Sequence, residues 1–165
     1  MYRREILPSY IERDLLAFPV ELIDSVEREV CPASNEVNIT IPNLPGLIAA
    51  ACVARVLLLQ KLNGKEIKCL RKALELTGRE LAERMDVREE TVSRWEHDEP
   101  MGPASEKLLR LRVALKLKDR VALTIDDKGI TEIIERQIEA VRTPDDGRPQ
   151  IQLMLLRPQP LFRFT

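Results

Sequence analysis

The chain of 165 residues is short of several residue types, and each shortage narrows what it can do. Aromatic residues make up 4% of it, with one tryptophan, Trp95, and one histidine, His97. The six glycines form no phosphate-cradling loop. No serine, cysteine or lysine stands in a recognisable nucleophile–base arrangement. The carboxylates fall on helical faces beside Lys or Arg, as surface charges do. The expectation is that the protein is not an enzyme. Cysteines number three (Cys31, Cys52 and Cys69), an odd count that suits free thiols better than a disulfide framework. Cys52 and Cys69 lie on apolar helical faces, where a buried thiol is the default. A structural zinc site needs four ligands. Cys31 has no companions at usable spacing, and His97 falls at the end of a helix elsewhere, so no metal and no cofactor are expected. The run from Leu47 to Leu59 is apolar but holds Arg55 and is shorter than the roughly 20 residues of a membrane helix. With no secretory signal visible at the N-terminus, a cytoplasmic location and no membrane partner are expected.

Net charge is scarce too, at −1. Its distribution is uneven. Residues 61–118 carry 14 Lys/Arg against 11 Asp/Glu, residues 1–59 carry 5 against 8, and residues 119–165 carry 7 against 8. Positive charge therefore gathers in the middle of the chain. So small a margin implies weak non-specific affinity for DNA at physiological salt. A duplex binder built this way would need a dimer to double its phosphate contacts.

That middle region, from Gly64 to Leu115, is also the most strongly patterned. Ile67, Leu70, Arg71 and Leu74 recur at helical spacing, which predicts a helix from about Lys65 to Leu76. Thr77 suits the N-cap of a second helix, with Glu80 as its capping-box partner. Leu81, Ala82 and Met85 form the apolar stripe of that short helix, and Asp86-Val87 makes a tight connection. Val87, Val92 and Trp95 face inward from a third helix, roughly Arg88 to His97. Pro100, Gly102 and Pro103 interrupt the pattern. Pro103 suits the first turn of a fourth helix, to which Leu108, Leu109, Leu111, Leu115 and Leu117 give a broad apolar surface. Two short helices joined so tightly are what a helix-turn-helix requires. The second of the pair must project into a major groove about 12 Å wide.

The pattern of Leu70-Arg71, Leu76-Thr77, Glu80-Leu81-Ala82, Val87, Thr91-Val92-Ser93-Arg94-Trp95-Glu96 and Pro100 resembles the XRE family, the lambda-repressor-like helix-turn-helix proteins. The resemblance covers about a third of the chain and assigns roles by position. It implies a buried structural pair, Arg71 with Glu96, tying the first helix of the domain to the end of the third. Thr77, Gly78 and Arg79 fall at the start of the second helix, where backbone N–H groups can meet a phosphate. Relatives usually carry Gln or a similar polar side chain at the place of Gly78. Arg88, Glu89, Glu90 and Arg94 fall on the base-reading positions, with Ser93 and His97 completing the candidate DNA contacts. Arg94 is the best candidate for a guanine, because its fork matches the O6 and N7 acceptors. Glu89 and Glu90 are unusual there. Each can accept from a cytosine amino group, and each equally reads as a solvated charge favouring a helix N-terminus.

Residues 1–45 differ in character, with prolines at 8, 19, 32, 42 and 45. Two short apolar runs, Leu15 to Ile23 and Val37 to Ile41, read as strands, the second by its alternation. A turn at Pro42 to Gly46 leads into a helix from Leu47 to Leu59. An arm of this kind before an XRE domain is similar to the MqsA-type antitoxins, whose arm is a zinc ribbon of two Cys-x-x-Cys knuckles. Here the knuckles are missing, and Cys31-Pro32-Ala33-Ser34 is their only trace. Either the ribbon's shape persists without metal, or the arm has a different fold.

After Lys118, Val121 to Ile125 reads as a strand, Lys128 to Ala140 as a helix with Ile130, Ile133, Ile134 and Ile138 on one face, Thr143 to Pro149 as a loop, and Ile151 to Leu156 as a last strand. The proline-bearing end, Arg157 to Phe164, is apolar and is expected to dock on the arm or on a partner subunit. The architecture read from the sequence is mainly α. It is a lambda-repressor-like helix-turn-helix bundle at 61–118, with a small β-containing N-terminal arm at 1–60 and a C-terminal extension at 119–165. The expected function is that of a sequence-specific regulator of transcription that binds double-stranded DNA, as a homodimeric repressor. The alternative is an antitoxin that binds a protein toxin and regulates its own operon.

Overall fold

The structure, a computed structural model, describes residues 1–122, 126–136, 149–156 and 161–164. Five strands and six α-helices lie within them: β1 (Arg3–Glu12), β2 (Val20–Val30), β3 (Val37–Thr40), α1 (Leu44–Leu57), α2 (Gly64–Ala73), α3 (Gly78–Met85), α4 (Glu89–Glu96), α5 (Pro103–Leu117), α6 (Asp127–Ile134), β4 (Ile151–Leu155) and β5 (Phe162–Phe164). A short 3-10 turn at Lys118–Arg120 follows α5.

The strands form one mixed sheet, so the helical bundle is only part of the architecture that a mainly-α reading anticipates. Its backbone order is β1-β2-β4-β5. The long β2 is the hub. Its whole length pairs antiparallel with β1, its second half (Glu27 to Val30) antiparallel with β3, and its first half (Val20 to Ile23) parallel with β4. β3 is too short to cover the edge of β2, and the unpaired backbone groups near Val20 are taken by β4. The arm and the C-terminal extension, read from sequence as two separate pieces, therefore share a sheet. The helix-turn-helix segment is inserted between β3 and β4.

β1 escapes a hydrophobic scan because it is a polar edge strand. Its pairing to β2 includes the ion pairs Arg4–Glu29 at 2.5 Å and Arg28–Glu5 at 2.8 Å. Pro8 sits where the register shifts between Leu7 and Ser9, beside Asp24 with φ 48°, and an edge bulge is where proline is tolerated. The apolar run from Leu15 does not begin a strand at Leu15: residues 14–18 bend, and β2 starts only after Pro19.

α1 starts three residues before the expected Leu47. Asn43, at φ 53°, caps it by accepting from the Gly46 N–H at 3.2 Å. Its buried residues go almost all round the helix, because the sheet lies on one side and α5 on the other. Leu22, Leu47, Leu153 and Phe162 are fully buried in the resulting core, with Ala49, Ala50 and Ala51 allowing close approach. Each fully buried leucine contributes about 1.5–3 kcal/mol. The tail ends in that core through β5, which pairs with β4.

Other departures are smaller. α2 stops at Ala73 rather than Leu76. Leu108 and Leu115 are exposed on α5, while Leu109 and Leu117 are buried. Val121 and Ala122 lie outside any strand, and residues 123–125 of that expected strand lie outside the described residues. α6 ends at Ile134. The rest of its expected length from residue 137, including Ile138, and nearly all of the expected loop at 143–149 also lie outside the described residues. No helix among them is long and apolar enough to cross a membrane, and no group of residues there is suited to hold a metal ion.

Candidate nucleic-acid interface

α3 and α4 are joined by a turn in which Asp86 takes the left-handed conformation at φ 54° and Val87 N–H returns to Ala82 O. α3 opens with a complete capping box. Thr77 Oγ1 accepts from Glu80 N at 3.2 Å, and Thr77 N–H donates to Glu80 Oε2 at 2.7 Å. The backbone N–H of Thr77 holds the Glu80 carboxyl below its ordinary pKa. Leu81, Ala82 and Met85 turn inward from α3, and Val92 and Trp95 from α4. The pattern read from the sequence places these side chains where the core needs them.

Beneath the two helices lies a set of ionic ties. Arg71 Nε meets Glu96 Oε1 at 2.5 Å, and Arg71 Nη1 donates to Leu76 O at 2.9 Å. The pair is largely shielded, at 14% and 11% exposure, so it fixes the end of α4 to α2. Gly64 brings the start of α2 against the end of α4 so closely that a Cβ there would stand 2.5 Å from Glu96 O. Its N–H donates to Asp98 Oδ1 at 2.9 Å. Arg112 of α5 closes the far end of α3 by donating to Arg84 O at 2.7 Å.

Sequence reading did not find a second buried network. Arg55 of α1 donates to both carboxylate oxygens of Glu66 at 3.0 and 2.9 Å, and to Gln60 O and Lys61 O at 3.2 Å. Arg110 of α5 donates to Glu106 Oε1 at 2.8 Å and to Val56 O at 3.0 Å. Glu106 Oε1 in turn accepts the Leu62 N–H at 2.8 Å. Burial lowers the Arg110 pKa, and Glu106 opposes the shift. Side chains thus tie α1 to α2 and to α5 across the connecting segment. The visible signal was Arg55, a charge inside an apolar run that its burial obliges to find a partner.

The candidate DNA contacts, Gly78 apart, are exposed. Arg88, Glu89, Glu90, Ser93, Arg94 and His97 are exposed along α4 and its ends, and Thr77 and Arg79 are exposed at the start of α3. Gly78 has nothing within 4 Å of a Cβ, so its place faces open space. Arg79 pairs with Glu83 at 3.3 Å and Arg94 with Glu99 at 3.8 Å, both on the surface. Such exposed pairs contribute about 0–1 kcal/mol and release their arginines readily. Arg88 is the N-cap of α4 but makes no side-chain cap bond, and Glu89 and Glu90 occupy the first turn, where the helix dipole favours them. His97 Nδ1 lies 2.6 Å from Ser93 O, which can only accept, so that nitrogen carries the proton and Nε2 is turned outward from this bond.

A family model described as helix-turn-helix matches residues 67–120, from the first turn of α2 through α5. The segment is a helix-turn-helix domain, and the match supports the XRE type. No curated protein and no solved structure matches the chain.

Proposed function

We propose that the chain is a sequence-specific regulator of transcription that binds duplex DNA as a homodimeric repressor, with α4 in the major groove. The observation that carries the proposal is the exposed row on α4, whose far end is tied to α2 by the Arg71–Glu96 ion pair. Arg94 reads a guanine through its bidentate fork, and Arg88 and Ser93 contact neighbouring bases or phosphates. Thr77, Gly78 and Arg79 bring the N-terminus of α3 to the backbone. Two-fold symmetry would space half-sites about 34 Å apart. On this reading the chain is not an enzyme, binds no metal, and works in the cytoplasm.

Fluorescence anisotropy with duplexes from the gene's own upstream region, titrated with salt, tests it. Arg94→Ala should weaken specific binding by about 10- to 100-fold, the worth of one bidentate base contact, while leaving the melting temperature unchanged. Absence of salt-dependent binding to any duplex would overturn the reading.

A second reading has its own support. The outer part of the sheet, where β1, β2 and β3 meet, leaves Ile6, Val37 and Ile39 exposed, and Cys31 stands in the turn between β2 and β3. A ribbon of this kind suits a protein partner, as in an MqsA-type antitoxin with a degenerate, metal-free arm. Co-purification with the product of an adjacent reading frame, lost in Ile39→Glu, separates this reading from a plain regulator.

A further inference from the structure

Two of the three cysteines meet at the seam between α1 and α2. Cys52 is buried on α1, and Cys69 is partly exposed on α2. Each thiol is close enough to the other to alter its acidity. The helices hold them there. Cys52 and Arg55 stand one turn apart on α1, as Glu66 and Cys69 do on α2, so each pair shares a helix face. The Arg55–Glu66 ion pair at 2.9 Å joins the two helices one turn away from the thiols. The thiols are therefore the next rung on a seam that the ion pair keeps closed. Cys31 lies in the turn between β2 and β3, away from this seam.

The surroundings make the two sulfurs unlike. Cys69 has its pKa lowered to about 7, first by the hydrogen bond from Cys52 and further by the Ala17 N–H and Lys72, against burial and the charge of Glu66. Cys52 keeps its proton, because the bond to Cys69 and its own burial both raise its pKa. One accessible thiolate with a buried thiol at its back is the arrangement of an attacking and a resolving cysteine.

We propose that Cys52 and Cys69 form an oxidisable pair, a modification site at which hydrogen peroxide converts the dithiol into a disulfide linking α1 to α2. In the first step the Cys69 thiolate attacks one peroxide oxygen. An S–O bond forms, the O–O bond breaks, and the departing hydroxide takes up a proton to leave as water. In the second step the Cys52 sulfur attacks the resulting sulfenic sulfur. The S–S bond forms, the S–O bond breaks, and the proton of Cys52 leaves with the hydroxide as a second water. Two electrons pass from the two sulfurs to one peroxide, which is reduced to two waters. The link would tie the sheet-bearing helix covalently to the helix-turn-helix domain and can be undone by a dithiol reductant.

The test uses the full chain, reduced, desalted and treated with a stoichiometric amount of hydrogen peroxide at neutral pH. Intact-mass measurement should show the loss of two hydrogens, and a non-reducing peptide map should show one cross-link, between the peptides holding Cys52 and Cys69. Dithiothreitol should reverse both. The rate of loss of free Cys69 should rise with pH and level off above about 7. In Cys52→Ala the same treatment should leave Cys69 as a sulfenic acid, and a second equivalent of peroxide should carry it on to sulfinic acid. The wild-type map stands alone if that variant does not fold. A cross-link to Cys31, sulfinic Cys69 beside a free Cys52 in the wild type, or no thiol loss while a free-cysteine standard reacts would each overturn the proposal.

Discussion

At the scale of single residues, four charged side chains govern the junction of α1, α2 and α5. Arg55, Glu66, Glu106 and Arg110 are buried together, and burying an ion costs several kcal/mol unless its partners answer it. Here most of their polar atoms are answered, through two carboxylates and the carbonyls of the connecting segment, while Glu106 Oε2 and Arg110 Nε accept and donate no hydrogen bond among the described residues. Glu66 also accepts the Asn63 N–H at 3.0 Å, completing the capping box of α2. Glu66→Ala should therefore destabilise the fold by about 3–5 kcal/mol, because Arg55 stays buried without its counter-charge. The double change Arg55→Met with Glu66→Leu should recover most of that loss. Urea unfolding of the three proteins checks both statements. If Glu66→Ala costs under about 1 kcal/mol, the buried pair does not hold the junction. Composition did not reveal this network, since Glu66, Glu106 and Arg110 look like ordinary helix-surface charges until α1 and α5 cover them.

At the scale of elements, caps and close approaches decide where the helices stop and how they meet. Thr77 with Glu80 was legible as a capping box because the motif is local. The depressed pKa of Glu80 means its bond to the Thr77 backbone stabilises the folded state above the unfolded value, near 4.5. That contribution is lost as pH falls through the lower folded value. Glu80→Gln should thus narrow its gap to the wild type as the solution is acidified from neutrality to about pH 3, measured by urea midpoints across that range. A constant gap would mean that the carboxylate charge is not what matters. Gly64 is the non-local counterpart. Its φ is unremarkable, and only the backbone of Glu96 explains it. Gly64→Ala should cost about 1–3 kcal/mol through overpacking, seen as a lower melting temperature, with the α2–α4 contact the first to loosen. An unchanged melting temperature would show that the end of α4 can move aside.

At the scale of the whole molecule, the helix-turn-helix is an insertion into a sheet closed by β4 and β5. β4 reaches back to β2 across the entire helical segment, and Phe162 of β5 is fully buried in the core that α1 shares with the sheet. The tail is therefore structural. Phe162→Ala should remove about 3–5 kcal/mol and lower the melting temperature of the helix-turn-helix and the sheet together, followed by Trp95 fluorescence and far-ultraviolet dichroism. Separate transitions for the two probes would mean that sheet and helices unfold independently. Ion pairs run from the sheet-bearing helix to α4: Arg55–Glu66 joins α1 to α2, and Arg71–Glu96 joins α2 to α4.

The helix-turn-helix was set by the sequence alone, because its instructions are local: the cap at Thr77, the stripe of Leu81, Ala82 and Met85, the tight turn at Asp86, and the inward faces of Val92 and Trp95. The surface row from Arg88 to Arg94 was legible for the same reason, since helical spacing dictates what points outward. What only the tertiary structure decided is non-local. The polar edge strand β1 gains its identity from β2. The parallel pair of β2 and β4 joins residues separated by most of the chain, which no periodicity records. The junction of α1, α2 and α5 rests on charges whose burial exists only after those helices have packed.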